Sequence, residues 1–250
     1  MKHPIKIFYL LLLLLFISGG IIAQSSEKIE SKWRLGFLNG LSINNFTSEQ
    51  PHTGTTLSYN ASLFADLQLG KGWFLRGYGG YAGFGGELVT FKDDTRYGQD
   101  NLFTFRNVKQ SRYTLLSIDA GIAAFYQLPS KQPWKVQLGL GGGMANQFGE
   151  HEYYEKTGEF ITGVYGTVTG NQFTNRFAAN WWHADAHAAL WLPTKKVNWT
   201  LSCSYLLGLT SVRPEYSYIE YAGVTGAIRT NSFQLKLGIS KNILKKIKKN

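Results

Sequence analysis

From Leu57 to Leu69 every odd position is apolar: Leu57, Tyr59, Ala61, Leu63, Ala65, Leu67 and Leu69. The even positions are mostly polar, with Ser58, Asn60, Ser62, Asp66 and Gln68. From Val197 to Leu209 the same alternation sets Val197, Trp199, Leu201, Cys203, Tyr205, Leu207 and Leu209 against Asn198, Thr200, Ser202 and Ser204. A period of two places successive side chains on opposite faces of a β-strand, so each stretch predicts a strand with one apolar face. Similar faces run through Trp33–Ile43, Leu116–Leu128, Trp134–Met144 and Phe233–Ile239. Trp73–Val89 is glycine-rich and Arg176–Leu192 alanine-rich, and both still alternate. Eight strands follow, over 33–45, 57–69, 73–89, 113–128, 134–146, 176–192, 197–209 and 232–244, each of 13 to 17 residues and longer than ordinary globular strands.

The connections between them alternate in length: 11, 3, 23, 5, 29, 4 and 22 residues. The short ones are turn-like: Gly70-Lys71-Gly72, Pro129 to Pro133, and Pro193-Thr194-Lys195-Lys196. An even number of long, one-sided strands joined by alternating turns and loops predicts an all-β fold. The expected architecture is an eight-stranded antiparallel up-and-down transmembrane β-barrel, with turns on the periplasmic side and loops outside. Closure is a physical necessity there, because an open sheet edge in lipid leaves backbone groups without partners. Threading the chain this way puts Trp33, Trp73, Trp134 and Trp199 at the starts of upward strands and Tyr126 at the end of a downward one. All five share the lipid-facing phase and predict a periplasmic aromatic girdle. Gly77, Gly79, Gly80, Gly83, Gly85 and Gly86 crowd the third strand, and Gly139, Gly141, Gly142 and Gly143 the fifth. In a narrow barrel they permit coiling and make room for bulky inward neighbours.

Residues 1–23 predict a cleaved signal peptide, from Lys2 and Lys6, the apolar run Ile7–Ile17 and the small Ala23 before Gln24. The domain plan is then a short linker over 24–32, a barrel over 33–244 and a lysine-rich periplasmic tail over 245–250. Cys203 is the single cysteine, so no intramolecular disulfide forms. The formal charge of +10 falls to +8 without the two signal lysines. It falls to +3 without Lys241, Lys245, Lys246, Lys248 and Lys249. The basic character belongs to the tail, and no nucleic-acid surface is expected.

Inward positions carry both signs of charge. Arg34, Arg76, Lys135 and Lys236 face Asp66, Asp119 and Asp185, and buried charge requires partners. A barrel of eight strands is just wide enough for side chains to fill. A plug of ion pairs is therefore expected, with a narrow pore as the alternative. The most chemical stretch is His183, Asp185 and His187 on one strand face, weak candidates for a catalytic site. The two histidines are roughly 13 Å apart along a strand, too far to share one ion. No metal and no cofactor are expected. A His–Asp pair can orient a nucleophilic serine, which keeps open an outer-membrane lipid-modifying hydrolase or acyltransferase. Loops 90–112, 147–175 and 210–231 mix charges with aromatics such as Tyr97, Phe103, Tyr153, Tyr154 and Tyr216. They are the candidate surface for a protein or other surface ligand, or else continue the hairpins above the membrane.

With its alternating strands Leu57–Leu69 and Val197–Leu209, its glycine-rich strands and the turn Lys71-Gly72-Trp73, the chain resembles the small outer-membrane β-barrel families of Gram-negative bacteria. The PorT-like group is the nearest, and the OmpA/OmpX-type eight-stranded barrel is the architectural parallel. The resemblance spans about residues 30–244. It implies a monomeric barrel in contact with outer-membrane lipid. The role it implies is non-enzymatic: envelope scaffold, surface-binding protein or accessory to a secretion complex.

Overall fold

The computed structural model describes residues 33–47, 53–97, 102–161, 164–174, 177–194, 197–212 and 227–243. The signal peptide, the linker and the lysine-rich tail lie outside the described residues. Nine strands are present: β1 (Trp33–Thr47), β2 (Thr53–Gly70), β3 (Trp73–Tyr97), β4 (Leu102–Gln127), β5 (Lys135–Ile161), β6 (Val164–Phe173), β7 (Asn180–Pro193), β8 (Asn198–Gly208) and β9 (Arg229–Ile243). Eight of them form a closed ring. The hydrogen-bonded order β4-β3-β2-β1-β9-β8-β7-β5 is completed by the pairing of β4 with β5. The seam between first and last strands runs from Trp33↔Ile243 to Thr47↔Arg229 without a register shift. All pairings are antiparallel; apart from the β1–β9 seam they join chain neighbours, save that β7 follows β5 around the ring.

The ring has the predicted eight strands, and a ninth strand lies outside it. β6 lies within the predicted connection 147–175 and pairs only with the far half of β5, from His151↔Phe173 to Ile161↔Val164. The connection 90–112 is likewise mostly strand, since β3 and β4 stay paired from Gly86↔Tyr113 out to Tyr97↔Leu102. β4 and β5 remain paired as far as Val108↔Thr157. The upper parts of β3, β4, β5 and β6 thus form one sheet that rises from one side of the barrel. Polar alternation, rather than apolar alternation, carries these extensions, because no lipid face is left to bury.

The wall reads as its sequence alternation predicts. Leu57 and Leu63 are about two-thirds exposed, and Leu41, Ile43, Ile122, Leu235 and Leu237 more than half, all on the outer face. Ser58, Asn60, Ser62 and Asp66 between them are buried inside. Outer apolar residues run from Trp33 to Ile43 along β1. A run of that length, tilted as barrel strands are, covers about 25 Å, the height of an outer-membrane apolar band. Trp33, Trp134 and Trp199 are exposed at the turn end, and Trp73 and Tyr126 touch with ring centroids 4.9 Å apart. Gly72 closes the β2–β3 turn with φ of +82°, a conformation that side chains with a Cβ rarely adopt.

A closed antiparallel barrel resists unfolding by detergent until heated. The folded protein is expected to migrate faster in unboiled than in boiled gel samples. A chain whose mobility does not change on boiling, and which fractionates as soluble, contradicts the fold.

Candidate functional site

The lumen is layered, and each layer follows from which inward residues share a height. At the turn end, Arg34 of β1 and Arg76 of β3 flank Asp66 of β2, to which both are paired in register. Arg34 Nε donates to Asp66 Oδ2 at 2.7 Å, and Arg76 donates through Nε to Oδ1 at 2.7 Å and through Nη2 to Oδ2 at 3.0 Å. Arg34 Nη2 also meets Asp66 and donates to Gln137 Oε1 at 3.3 Å. Aromatic rings hold the guanidinium planes. Arg34 lies over Trp191 at 4.7 Å and Phe74 at 5.3 Å, and Arg76 over Phe64 and Phe125 at 4.2 Å each. Planar cations suit this double role, since they satisfy a carboxylate at the edge and stack on rings at the face.

The middle layer gathers the histidines. His183 Nε2 is 2.8 Å from Asp119 Oδ1 on β4, and His187 Nε2 is 3.0 Å from Asp185 Oδ2. Tyr78 donates to the same Asp185 oxygen at 2.5 Å. β5 stands between β4 and β7, and its inward positions here are glycines. Gly139, Gly141 and Gly143 pair with His187, Asp185 and His183. A Cβ on Gly141 would sit 2.6 Å from Asp185 Oδ1, and one on Gly143 would sit 2.9 Å from the His183 ring. The glycine run therefore opens the sheet face so that β7 side chains reach across it to β4. A phosphate-binding loop is not formed. Lys236 of β9 joins this layer, and a cavity of about 20 Å³ opens among it, Tyr78, Asp119, Asp185, His187 and Gln234.

Above the polar layers sits an apolar lid that charge patterning did not reveal. Phe46 stacks on Phe177 at 5.1 Å, Tyr113 meets Phe177 edge-on at 4.9 Å, and Phe84 meets Trp181 edge-on at 5.4 Å. Leu115, Val212 and Ile228 complete the cluster. Backbone hydrogen bonds from Ala178 to Val212 and from Val212 to Ile228 pull the bases of two connections inward over the mouth. The readable signal was phase: Phe46, Phe84, Tyr113 and Trp181 fall on the inward side of their strands near the loop end.

Where the raised sheet leaves the barrel, two buried carboxylates anchor it. Glu150 accepts from Gln147 Nε2 at 3.3 Å, from the Phe177 backbone at 3.1 Å, and from Thr174. Glu152 accepts from Ser111 at 2.7 Å, Tyr113 at 2.9 Å, Gln172 at 2.7 Å and Lys109 at 2.6 Å. Burial pushes the Glu152 carboxyl up. Hydrogen bonds from Lys109, Gln172 and Ser111, with the Lys109 charge, outweigh it and hold the group down to about 2.

Of the seven predicted lumen charges, Arg34, Asp66 and Arg76 meet as one triad, and Asp119 and Asp185 each take a histidine. Lys236 lines the chamber between them. Lys135 is a correction. Its Nζ donates to the Ser130 carbonyl at 2.6 Å and clamps the Pro129–Pro133 turn. One residue past the turn, a flexible ammonium reaches a backbone oxygen at the rim more readily than a carboxylate deep in the lumen. The predicted triplet His183, Asp185 and His187 is split between two carboxylates. Glu150 and Glu152 escaped the sequence reading because loop glutamates are usually solvated. Side chains of residues 90–108, and residues 213–226, lie outside the described ones.

A ring of eight strands, apolar outside and polar inside, with an aromatic girdle at the turn end, defines a transmembrane β-barrel. The chain belongs to the outer membrane protein beta-barrel domain family, whose model matches residues 22–213. It is an outer-membrane protein. No curated protein sequence matches it. Among solved structures it is similar to Neisserial surface protein A, at 12% identity over 82% of this chain and 95% of that one, with a TM-score of 0.40. It is similar to Ail, the attachment invasion locus protein of Yersinia pestis, at 10% identity over 85% and 100%, with a TM-score of 0.33. It is also similar to the outer membrane protease OmpT of Escherichia coli, at 10% identity over 88% and 100%, with a TM-score of 0.35.

Removing Asp66 leaves two buried guanidinium groups without their carboxylate. Asp66→Ala is expected to cost about 3–5 kcal/mol in urea unfolding from lipid vesicles, the range for breaking a buried pair. Glu152 gives a pH dependence of definite sign. Its folded value lies below the ordinary 4.5. The stability it contributes is therefore present above 4.5 and lost as pH falls from there toward 2. The protection factor of β5–β6 amides, with the intrinsic exchange rate at each pH divided out, should fall as pH drops through that window in the wild type, and should fall less in Glu152→Gln.

Proposed function

We propose that this protein is a non-enzymatic surface-binding barrel whose working part is the raised sheet of β3–β6. The observation that carries this reading is the pairing of four strands beyond the lipid-facing wall. That much hydrogen-bonded structure is not needed to cross a membrane, and recognition residues on rigid strands are better positioned than residues on loops. One face presents Tyr153 and Phe173, both exposed, beside the Arg112–Glu87 pair at 2.9 Å. By the family rule of short inner turns and long outer extensions, this sheet faces away from the cell.

The chemistry of the lumen supports a non-enzymatic role. His183 and His187 are each engaged by a carboxylate. Ser202 and Ser204 line the same chamber as His187, but a space of about 20 Å³ admits water and no lipid. Arg76 of the arginine triad lines the same chamber. These features equally favour a plugged barrel over a narrow pore.

In a Cys203→Ser background, Thr167→Cys is expected to react with a membrane-impermeant maleimide on intact cells, and Lys131→Cys only after lysis. The reverse pattern overturns the orientation. Replacing the raised parts of β3–β6 with short turns should leave a heat-modifiable barrel, whereas loss of folding would make the sheet structural. Purified protein and the His183→Ala and His187→Ala variants should leave phospholipid and lipid A vesicles equally unchanged. A wild-type product that either variant loses contradicts the non-enzymatic reading.

A further inference from the structure

The lumen charges balance. Among the described residues deep in the lumen, Arg34, Arg76 and Lys236 carry positive charge and Asp66, Asp119 and Asp185 negative charge. The two arginines share Asp66 directly. Asp119 and Asp185 are engaged by His183, His187 and Tyr78. Lys236 differs from all of these. It lines one chamber with Asp119 and Asp185, yet it makes no direct hydrogen bond or ion pair among the described residues.

An ammonium inside a membrane protein does not persist without hydrogen-bond acceptors, because each unsatisfied donor carries its full desolvation cost. The groups around the chamber have the same deficit. Among the described residues, Asp185 Oδ1 and Gln234 Nε2 are buried without a hydrogen-bond partner, and both residues line the cavity with Lys236. Asp185 and Gln234 are themselves almost fully buried. The deficit includes both donors and an acceptor, so a single molecule that can donate and accept would serve all three residues.

Size and charge then select the ligand. The cavity of about 20 Å³ exceeds the roughly 10–15 Å³ that one water requires and leaves little over. An anion is disfavoured by Asp119 and Asp185, and a cation is excluded by Lys236. With three charges of each sign already in place, the ligand is neutral.

We propose that this chamber is a built water site, in which one or two ordered waters link the Lys236 ammonium to the Asp185 carboxylate and the Gln234 amide. The water supplies the contact that distance denies the lysine, so Lys236 acts as counter-ion to two carboxylates it does not touch.

A high-resolution crystal structure of the full protein tests the site directly. The expected density is a water about 3 Å from Lys236 Nζ. A dry chamber, a lysine in direct contact with Asp119 or Asp185, or a bound halide after a bromide soak overturns the proposal. Urea unfolding from vesicles tests the energetics independently. Lys236→Met should lower the midpoint by leaving two carboxylates without their counter-ion. Lys236→Met with Asp185→Asn should recover most of the loss by restoring balance. A Lys236→Met midpoint equal to wild type, or a double variant worse than the single one, contradicts the counter-ion role. If Lys236→Met does not fold at all, the double variant decides: refolding supports the role and failure contradicts it.

Discussion

Everything in this molecule depends on the seam where β1 meets β9. In hydrocarbon no water is available for backbone N–H and C=O groups, so a sheet survives there only if its two edges satisfy each other. The register Trp33↔Ile243 through Thr47↔Arg229 does this along the whole of both strands. Closing the ring fixes the rest. Eight strands give a narrow tube, a narrow tube forces inward side chains into contact, and inward charges must then find partners among themselves. The arginine triad, the histidine–carboxylate pairs and the aromatic lid are three responses to that one confinement.

The layers differ because their surroundings differ. Near the turn end, wide cations are held at one carboxylate by rings on both sides. At mid-height, glycines on β5 remove side chains from the wall and let His183 and Asp185 extend across it. At the loop end the lumen is closed by rings, which need no counter-charge, and above them Glu150 and Glu152 bind the raised sheet to the barrel through dense hydrogen bonding. The resulting plug holds charge balance and shape together.

Much of this was legible in the sequence. The alternation in Leu57–Leu69 and Val197–Leu209 specified wall strands and their faces, because lipid on one side and packed polar groups on the other leave no ambiguity of period. The tryptophans at strand starts set the turn end. Arg34, Asp66 and Arg76 were readable as inward charges, although their convergence on one height required the register. The raised sheet was legible only as one of two readings of the long connections, recognition loops or hairpins continued above the membrane. Their sequences lack the sustained apolar alternation of the wall, so period alone does not mark them as strand. The lid leaves little signal for a related reason: Phe46, Phe84, Tyr113 and Trp181 sit on the inward phase but carry no charge that demands a partner. Lys135 was misplaced because phase alone does not tell a rim position from a deep one.

The seam is also the most direct place to test the account. In a Cys203→Ser background, Asn39→Cys and Leu237→Cys place two thiols opposite each other across β1 and β9, at a spacing that a disulfide spans. The closed barrel predicts an intramolecular crosslink, formed in native membranes under mild oxidation and detected as a mobility change that reductant reverses. No crosslink there, with efficient crosslinking between separate molecules instead, would contradict closure and the lumen built upon it.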